Sequence, residues 1–129
     1  RMREINANAE RLADALRGHP AVAEVHFPKY RTADRYRAFQ REDAGFGGLL
    51  SLELKDAAVA APRFFDALRV CKGPNLGMEY TLACPYTVLA HFTEFEFAES
   101  CGVSRWLIRV AVGTEPFDDL WNRFESALS

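Results

Sequence analysis

An arginine stands in the middle of an apolar run near the end of the chain. Arg109 follows Trp106-Leu107-Ile108 and precedes Val110-Ala111-Val112-Gly113, a pattern typical of a β-strand. A guanidinium does not lose its charge in a protein, so it must meet an anion or reach water. Its planar fork of donors suits a carboxylate gripped at two points. Two interpretations stay open for Arg109. It binds an external anion, or it has a structural role. In the structural role it either pairs with Glu53 or another strand carboxylate, or lies at an edge of the sheet and reaches solvent.

A second candidate lies in the loop Gly73-Pro74-Asn75-Leu76-Gly77, which comes before Tyr80 and Thr81. A polar side chain on a loop bounded by glycines can line a pocket, although most such loops are simple turns. On its residues alone, Asn75 is therefore a weaker candidate for binding than Arg109.

The other reactive residue types favour structural roles. His91 lies in an apolar stretch and is more typical of a structural histidine than of a general base. Gly45, Gly47 and Gly48 precede a strand rather than a helix, which indicates a tight turn that feeds an edge of the sheet and not a phosphate loop. No two histidines stand at ligand spacing with a carboxylate, so we expect no metal site.

The cysteines indicate buried small hydrophobes and a reducing compartment. Cys71, Cys84 and Cys101 are odd in number and show no C-x-x-C spacing, which argues against disulfides and against zinc. Free cysteine is commonly interior, so we expect all three to be buried and the protein to be cytoplasmic.

The elements that must position these residues alternate along the chain. Hydrophobic periodicity predicts helices over residues 2–16, 56–68, 93–101 and 116–128. It predicts strands over residues 22–27, 49–54, 69–71, 81–84 and around Arg109. This order predicts one α+β domain, a two-layer sandwich of a small mixed sheet with helices on one side. The polar stretch 29–43 is rich in arginine and allows a short helix around Tyr36.

Finer features of two helices can also be predicted. Gly18 should end the first helix in a left-handed conformation, because glycine carries no Cβ penalty there. The helix over residues 56–68 should turn one apolar side inward, made up of Val59, Ala60, Phe64, Phe65 and Leu68.

Composition limits the class of protein. The chain has 129 residues, of which 49% are hydrophobic and 26% are charged, a balance typical of one globular domain. Its net charge of −2 gives no reason to expect binding to nucleic acid or to an anionic membrane. No apolar run approaches the roughly 18 residues of a spanning helix, and no signal peptide is visible. The charged, helix-forming start is compatible with the middle of a longer protein.

Taken together, the segments resemble the C-terminal domain of the Cys/Met-metabolism family of pyridoxal-phosphate (PLP) enzymes, which includes cystathionine γ-synthase, cystathionine lyases and methionine γ-lyase. The resemblance covers essentially the whole chain, and its ordered set of motifs is specific. The motifs are Asn6-Ala7-Asn8-Ala9, His19-Pro20, Val25-His26-Phe27-Pro28, the run from Gly45 to Leu54, Asn75-Leu76-Gly77, Pro85, His91, the run from Leu107 to Glu115, and Asp119-Leu120.

The resemblance implies the small C-terminal domain of a fold-type I PLP enzyme and assigns substrate-binding roles to two residues. Arg109 matches the family arginine that binds the α-carboxylate of the amino-acid substrate. Asn75 stands where the family usually has the serine of a Ser-Leu-Gly-Gly motif that borders the carboxylate and cofactor. The second glycine of that motif is Met78 here, and the resemblance gives His91 no role.

The resemblance also implies that the cofactor site lies outside this chain. In the family, the Schiff-base lysine, the aspartate for the pyridine nitrogen and a stacking tyrosine belong to a large preceding domain. None of Lys29, Lys55 and Lys72 stands in the family's Ser/Thr-rich lysine context. The chain alone should therefore bind no cofactor, contain no catalytic residue and be inactive.

The parent protein implied in this way is a PLP-dependent transferase or lyase. It would perform β- or γ-replacement or elimination on a sulfur amino acid, with its own N-terminal PLP domain as partner and a homo-oligomer, a tetramer, as its assembly. The alternative is a stand-alone, non-catalytic α+β module that binds a small amino or keto acid or mediates oligomerisation. A start codon at Met2 would favour that alternative.

Overall fold

The computed structural model of the protein describes residues 1–129, arranged as seven helices and five strands. In chain order they are α1 (Met2–Arg17), β1 (Val22–His26), α2 (Pro28–Arg31), α3 (Ala33–Arg37), β2 (Leu49–Leu54), α4 (Ala57–Ala67), β3 (Cys71–Lys72), β4 (Leu82–Pro85), α5 (Tyr86–Ala90), α6 (Phe95–Ser100), β5 (Ile108–Ala111) and α7 (Phe117–Leu128).

The strands form one mixed sheet in the order β1-β2-β5-β4-β3. Three neighbouring pairs are antiparallel, and only β3 and β4 run parallel. The predicted α+β fold with a small mixed sheet is confirmed. One detail of the prediction is wrong: the glycines at positions 45–48 feed β2, which lies inside the sheet and not at its edge.

The core lies between one face of the sheet and the helices α1, α4 and α7. Leu50, Leu52 and Leu54 alternate along β2 with less buried residues, so one face of the strand enters the core. Phe64 of α4 and Phe124 of α7 pack with their ring centroids 6.1 Å apart. The sheet therefore has a covered face, and an open face on which the alternate residues of its strands project.

Three detailed expectations are wrong. Gly18 ends α1 in a right-handed conformation, with φ at −83°, because its N–H closes an ordinary helical turn onto Asp14. The predicted inner side of α4 is buried at Phe64 and Leu68, but Val59 is exposed and Ala61 is buried in its place. Of the cysteines only Cys84 is buried; Cys71 and Cys101 are exposed, and all three are free.

The arginine-rich stretch holds two short helices, α2 and α3, rather than one. Its first helix is fixed to α1 by polar contacts: Tyr30 Oη donates to Asp14 Oδ1 over 2.6 Å, and Lys29 pairs with Asp14 at 2.9 Å. A helix that the periodicity did not predict, α5, follows β4 directly. No helix of the chain combines the length and apolar character that crossing a membrane requires.

The packing of α7 on α4 yields a stability prediction. Replacing Phe124, which is fully buried, by alanine removes a ring from the core and should lower the free energy of unfolding by about 3–5 kcal/mol. The matched control is Phe39→Ala, because Phe39 is 93% exposed and its loss should change stability by less than about 0.5 kcal/mol. Urea unfolding followed by circular dichroism measures both; equal effects would contradict this description of the core.

Candidate functional site

Arg109 projects from the middle of the sheet onto its open face. Its strand, β5, lies between β2 and β4, and its Cα partners are Ser51 and Cys84. The flanking residues Ile108 and Val110 are buried in the core, so the alternation of the strand directs Arg109 away from the helices. Arg109 is half-buried, which keeps part of its guanidinium accessible.

The guanidinium of Arg109 makes one hydrogen bond and no ion pair. Its Nη2 donates to the carbonyl oxygen of Pro74. Glu53, the carboxylate considered from the sequence, is instead held by His26, whose Nε2 lies 2.7 Å from Glu53 Oε2. The interpretation that Arg109 pairs with Glu53 or lies on an edge strand is therefore wrong. Its remaining donors are available to an external anion.

The loop between β3 and β4 covers the neighbouring part of the open face. Pro74 contacts Arg109, and Gly73 lies close to Leu82, which explains why Leu82 and Cys84 are buried on a face without helices. Burial raises the pKa of the Cys84 thiol, and the positive charge of Arg109 partly opposes that rise. Cys84 therefore carries a neutral thiol on the strand next to Arg109.

Asn75 follows Pro74 and is exposed at the tip of this loop. The hydrogen bond from Arg109 to the Pro74 carbonyl holds the loop near Arg109, and Asn75 is the next residue of that loop. The amide side chain of Asn75 makes no hydrogen bond within the chain, so its part in binding stays a prediction.

A buried polar network fixes the far end of the same loop. The carboxylate of Glu115 accepts two hydrogen bonds from Thr81, 2.6 Å from its backbone nitrogen and 2.8 Å from its hydroxyl. The Thr81 hydroxyl accepts from the N–H of Gly113, while Asn8 of α1 donates to the carbonyl oxygens of both Gly113 and Glu115. One set of contacts therefore joins α1, the start of β4 and the segment after β5.

Position 113 must be a glycine because the backbone of Tyr80 passes very close to it. A Cβ at this position would lie 2.5 Å from the backbone carbon of Tyr80, a distance that side chains do not tolerate. Gly113 and Glu115 belong to the run from Leu107 to Glu115 that carries the family resemblance, but nothing along the chain indicated that Thr81 and Asn8 would contact them.

The remaining candidates do not gather around Arg109. His91 pairs through Nδ1 with Glu94 at 2.7 Å. Lys29 is engaged with Glu10 and Asp14, which raise its pKa. Burial lowers the pKa of Lys72, whose amino group donates to the carbonyl of Leu68 and lies 4.7 Å from the ring centroid of Phe65.

These surroundings do not fit a covalently held aldehyde cofactor. Lys72 belongs to β3, but its side chain contacts α4 and the C-terminal end of that helix on the covered side, whereas Arg109 and Cys84 lie on the open face. Lys55 lies on the exposed turn after β2. No lysine of the chain therefore stands beside Arg109.

The chain matches known proteins over its whole length. Residues 1–129 match the family described as "Cys/Met metabolism PLP-dependent enzyme". A cystathionine γ-synthase of Neurospora crassa is 43% identical over 99% of this chain, and an O-succinylhomoserine sulfhydrylase of Pseudomonas aeruginosa is 34% identical over 93%. The chain spans only 21% and 30% of those two relatives.

A solved structure has the same fold. The cystathionine γ-synthase of Xanthomonas oryzae pv. oryzae, crystallised in complex with cystathionine, superposes with a TM-score of 0.86 at 30% sequence identity. The superposition covers 99% of this chain and 34% of that one. The described residues therefore correspond to about a third of an enzyme of known structure.

The network around Glu115 yields a second stability prediction. Glu115→Ala leaves the two Thr81 donors without their acceptor and should lower the free energy of unfolding by about 2–4 kcal/mol. The control Glu125→Ala removes an exposed carboxylate from α7 and should change stability by less than about 0.5 kcal/mol. Thermal and urea unfolding test both; a Glu115→Ala chain as stable as the control would contradict the proposed importance of the network.

Proposed function

The chain belongs to the Cys/Met-metabolism family of PLP-dependent enzymes, and from this premise we propose that it is the C-terminal domain of a cystathionine γ-synthase-like enzyme. Its role there is to bind the α-carboxylate of a sulfur amino acid through Arg109. The parent performs β- or γ-replacement or elimination, and its cofactor-binding domain precedes Arg1 in the longer polypeptide. The same comparisons support an enzyme parent of this class.

The observation that carries the proposal is the free guanidinium of Arg109. A half-buried charge without a carboxylate partner is a costly arrangement unless a ligand completes it. The Pro74 carbonyl takes one Nη2 hydrogen and holds the fork in place, so the other donors can grip a carboxylate at two points. A bound carboxylate fixed in this way restricts the rotation of the substrate about its Cα, which is the positioning role of such a clamp.

Asn75 contributes a second contact in this proposal. Its amide can donate to the same carboxylate and, unlike a charged side chain, does not compete for Arg109. The loop that carries Asn75 is held at both ends, by pairing of β3 with β4 and by the contacts of Thr114 with Glu79. Its position relative to Arg109 is therefore set before a substrate arrives.

Catalysis in the parent needs residues that these 129 do not supply. The engaged or distant lysines support the view that PLP is held by a preceding domain, and no step of the reaction is assigned to this chain. The homo-oligomer expected for the parent is proposed on the same basis. The reading frame upstream of Arg1 should therefore encode an α/β domain with a Ser/Thr-rich lysine motif.

The carboxylate role predicts a specific kinetic change. In the full-length enzyme, Arg109→Ala should raise KM by about 30-fold to a few thousandfold, because removing one partner of a desolvated charge pair costs about 2–5 kcal/mol. The matched control is Arg105→Ala, which removes a nearby arginine that pairs with Glu99 at 2.8 Å and should leave KM within twofold. Steady-state kinetics on both variants decide; an unchanged KM with a lower melting temperature would make Arg109 structural.

The cofactor assignment predicts that the chain alone does not react with PLP. After incubation with equimolar PLP and reduction with borohydride, mass spectrometry should detect no stoichiometrically modified lysine, because no lysine stands beside Arg109: Lys29 is paired, Lys72 contacts Phe65 and Lys55 lies on an exposed turn. The full-length enzyme, treated in parallel, should carry one modified lysine outside these residues. Stoichiometric modification of Lys29, Lys55 or Lys72 in the isolated chain would contradict the assignment.

A further inference from the structure

Three potential metal ligands meet on the open face of the β1–β2 ladder. One imidazole nitrogen of His26 and one carboxylate oxygen each of Glu24 and Glu53 lie within 4.8 Å of one another, and all three residues are half-buried. Ligands bound to one tetrahedral ion at about 2.1 Å lie about 3.4 Å apart. Small side-chain rotations therefore suffice to bring the three atoms to one ion.

The electrostatics of the ladder favour a cation at this place. Glu24 and Glu53 are direct Cα partners on antiparallel strands, an arrangement that destabilises a sheet when both carry the same charge. Arg31 pairs with Glu24 from the solvent side, where its side chain is 71% exposed. Arg31 therefore supplies the only permanent positive charge paired with either carboxylate, while the partner of Glu53 is the imidazole of His26. Negative charge is thus only partly balanced by the side chains present.

We propose that Glu24, His26 and Glu53 form a binding site for a divalent transition-metal ion, with Zn²⁺ as its best-matched occupant. Zinc binds both imidazole nitrogen and carboxylate oxygen, and a site with three protein ligands leaves its fourth tetrahedral position to water. The imidazole disfavours Mg²⁺ and Ca²⁺, which prefer ligand sets made only of oxygen. The ion would tie the edge strand β1 to β2. The site involves neither Arg109 nor PLP and does not depend on the proposed function.

This site could not be predicted from the sequence, because its three ligands are not close together along the chain. Glu24 and His26 are two residues apart on one strand, but Glu53 joins them only through the register that places it opposite Glu24. We expected no metal site because no ligands stand at a suitable spacing along the chain. Spacing along the chain cannot detect a ligand set that is assembled across two strands.

Isothermal titration of ZnCl₂ into the 129-residue chain tests the proposal. Cys71 and Cys101 are exposed thiols that bind zinc themselves, so both are replaced by serine in every chain used. We expect one site, with affinity lowered at least tenfold by each of His26→Ala, Glu24→Gln and Glu53→Gln. Arg31→Gln should tighten binding severalfold, because it removes the competitor for Glu24. MgCl₂ should give no binding.

The chain offers a matched control in its other histidine–glutamate pair. His91 lies 2.7 Å from Glu94, the same separation as between His26 and Glu53, but belongs to no three-ligand cluster. His91→Ala should therefore keep zinc affinity within twofold.

Circular dichroism checks that each variant is folded. If His26→Ala does not fold, the Glu24→Gln and Arg31→Gln variants still test the proposal, because the first should weaken zinc binding and the second should tighten it. The absence of one-site binding, a loss with His91→Ala as large as with His26→Ala, or equal effects of Glu24→Gln and Arg31→Gln would each overturn the proposal.

Discussion

The permanent charge of Arg109 is the constraint around which this fold is arranged. The side chain stands on β5, the central strand of a five-stranded sheet, where both neighbours are other strands and no edge offers easy access to water. A guanidinium in that position cannot be covered by an apolar layer without a large desolvation cost. The helices accordingly pack on the other face alone, and the face that carries Arg109 stays open except where a loop crosses it.

The contacts next to Arg109 keep its charge from being neutralised within the chain. Glu53 belongs to the adjacent strand on the same face, but His26 holds its carboxylate. The loop offers Arg109 a carbonyl oxygen, a neutral acceptor that orients the fork without cancelling its charge. That loop is itself tied to the rest of the domain by Glu115 and Thr81. Under the proposed function, these contacts leave the charge of Arg109 available to a substrate carboxylate.

Sequence patterns predicted most of the fold because its elements have clear periodicity. The alternation in β2 and the apolar stripes of α1 and α7 each reflect one buried face, and their bounds agree with the structure to within a residue or two. The pattern failed where local sequence does not decide burial. Val59 fits the helical stripe of α4 but faces solvent, and Cys71 and Cys101 are apolar in type but lie at exposed positions.

The candidate site was predictable only in part. A charged residue inside an apolar run is visible in the sequence, so Arg109 could be singled out. The contacts of Arg109 could not be predicted. Strand order and register decide that Pro74 contacts its guanidinium and that Glu53 pairs with His26 instead. Contacts between residues far apart along the chain, such as Asn8 with Glu115, depend on tertiary packing that no local pattern specifies.

A crystal structure of the longer enzyme with its amino-acid substrate bound tests the central claim most directly. We expect two parallel hydrogen bonds of about 2.7–2.9 Å between the guanidinium of Arg109 and the substrate α-carboxylate. We also expect the contact with the Pro74 carbonyl to be kept. A substrate carboxylate held by other residues, with Arg109 paired to a carboxylate of the protein, would contradict it.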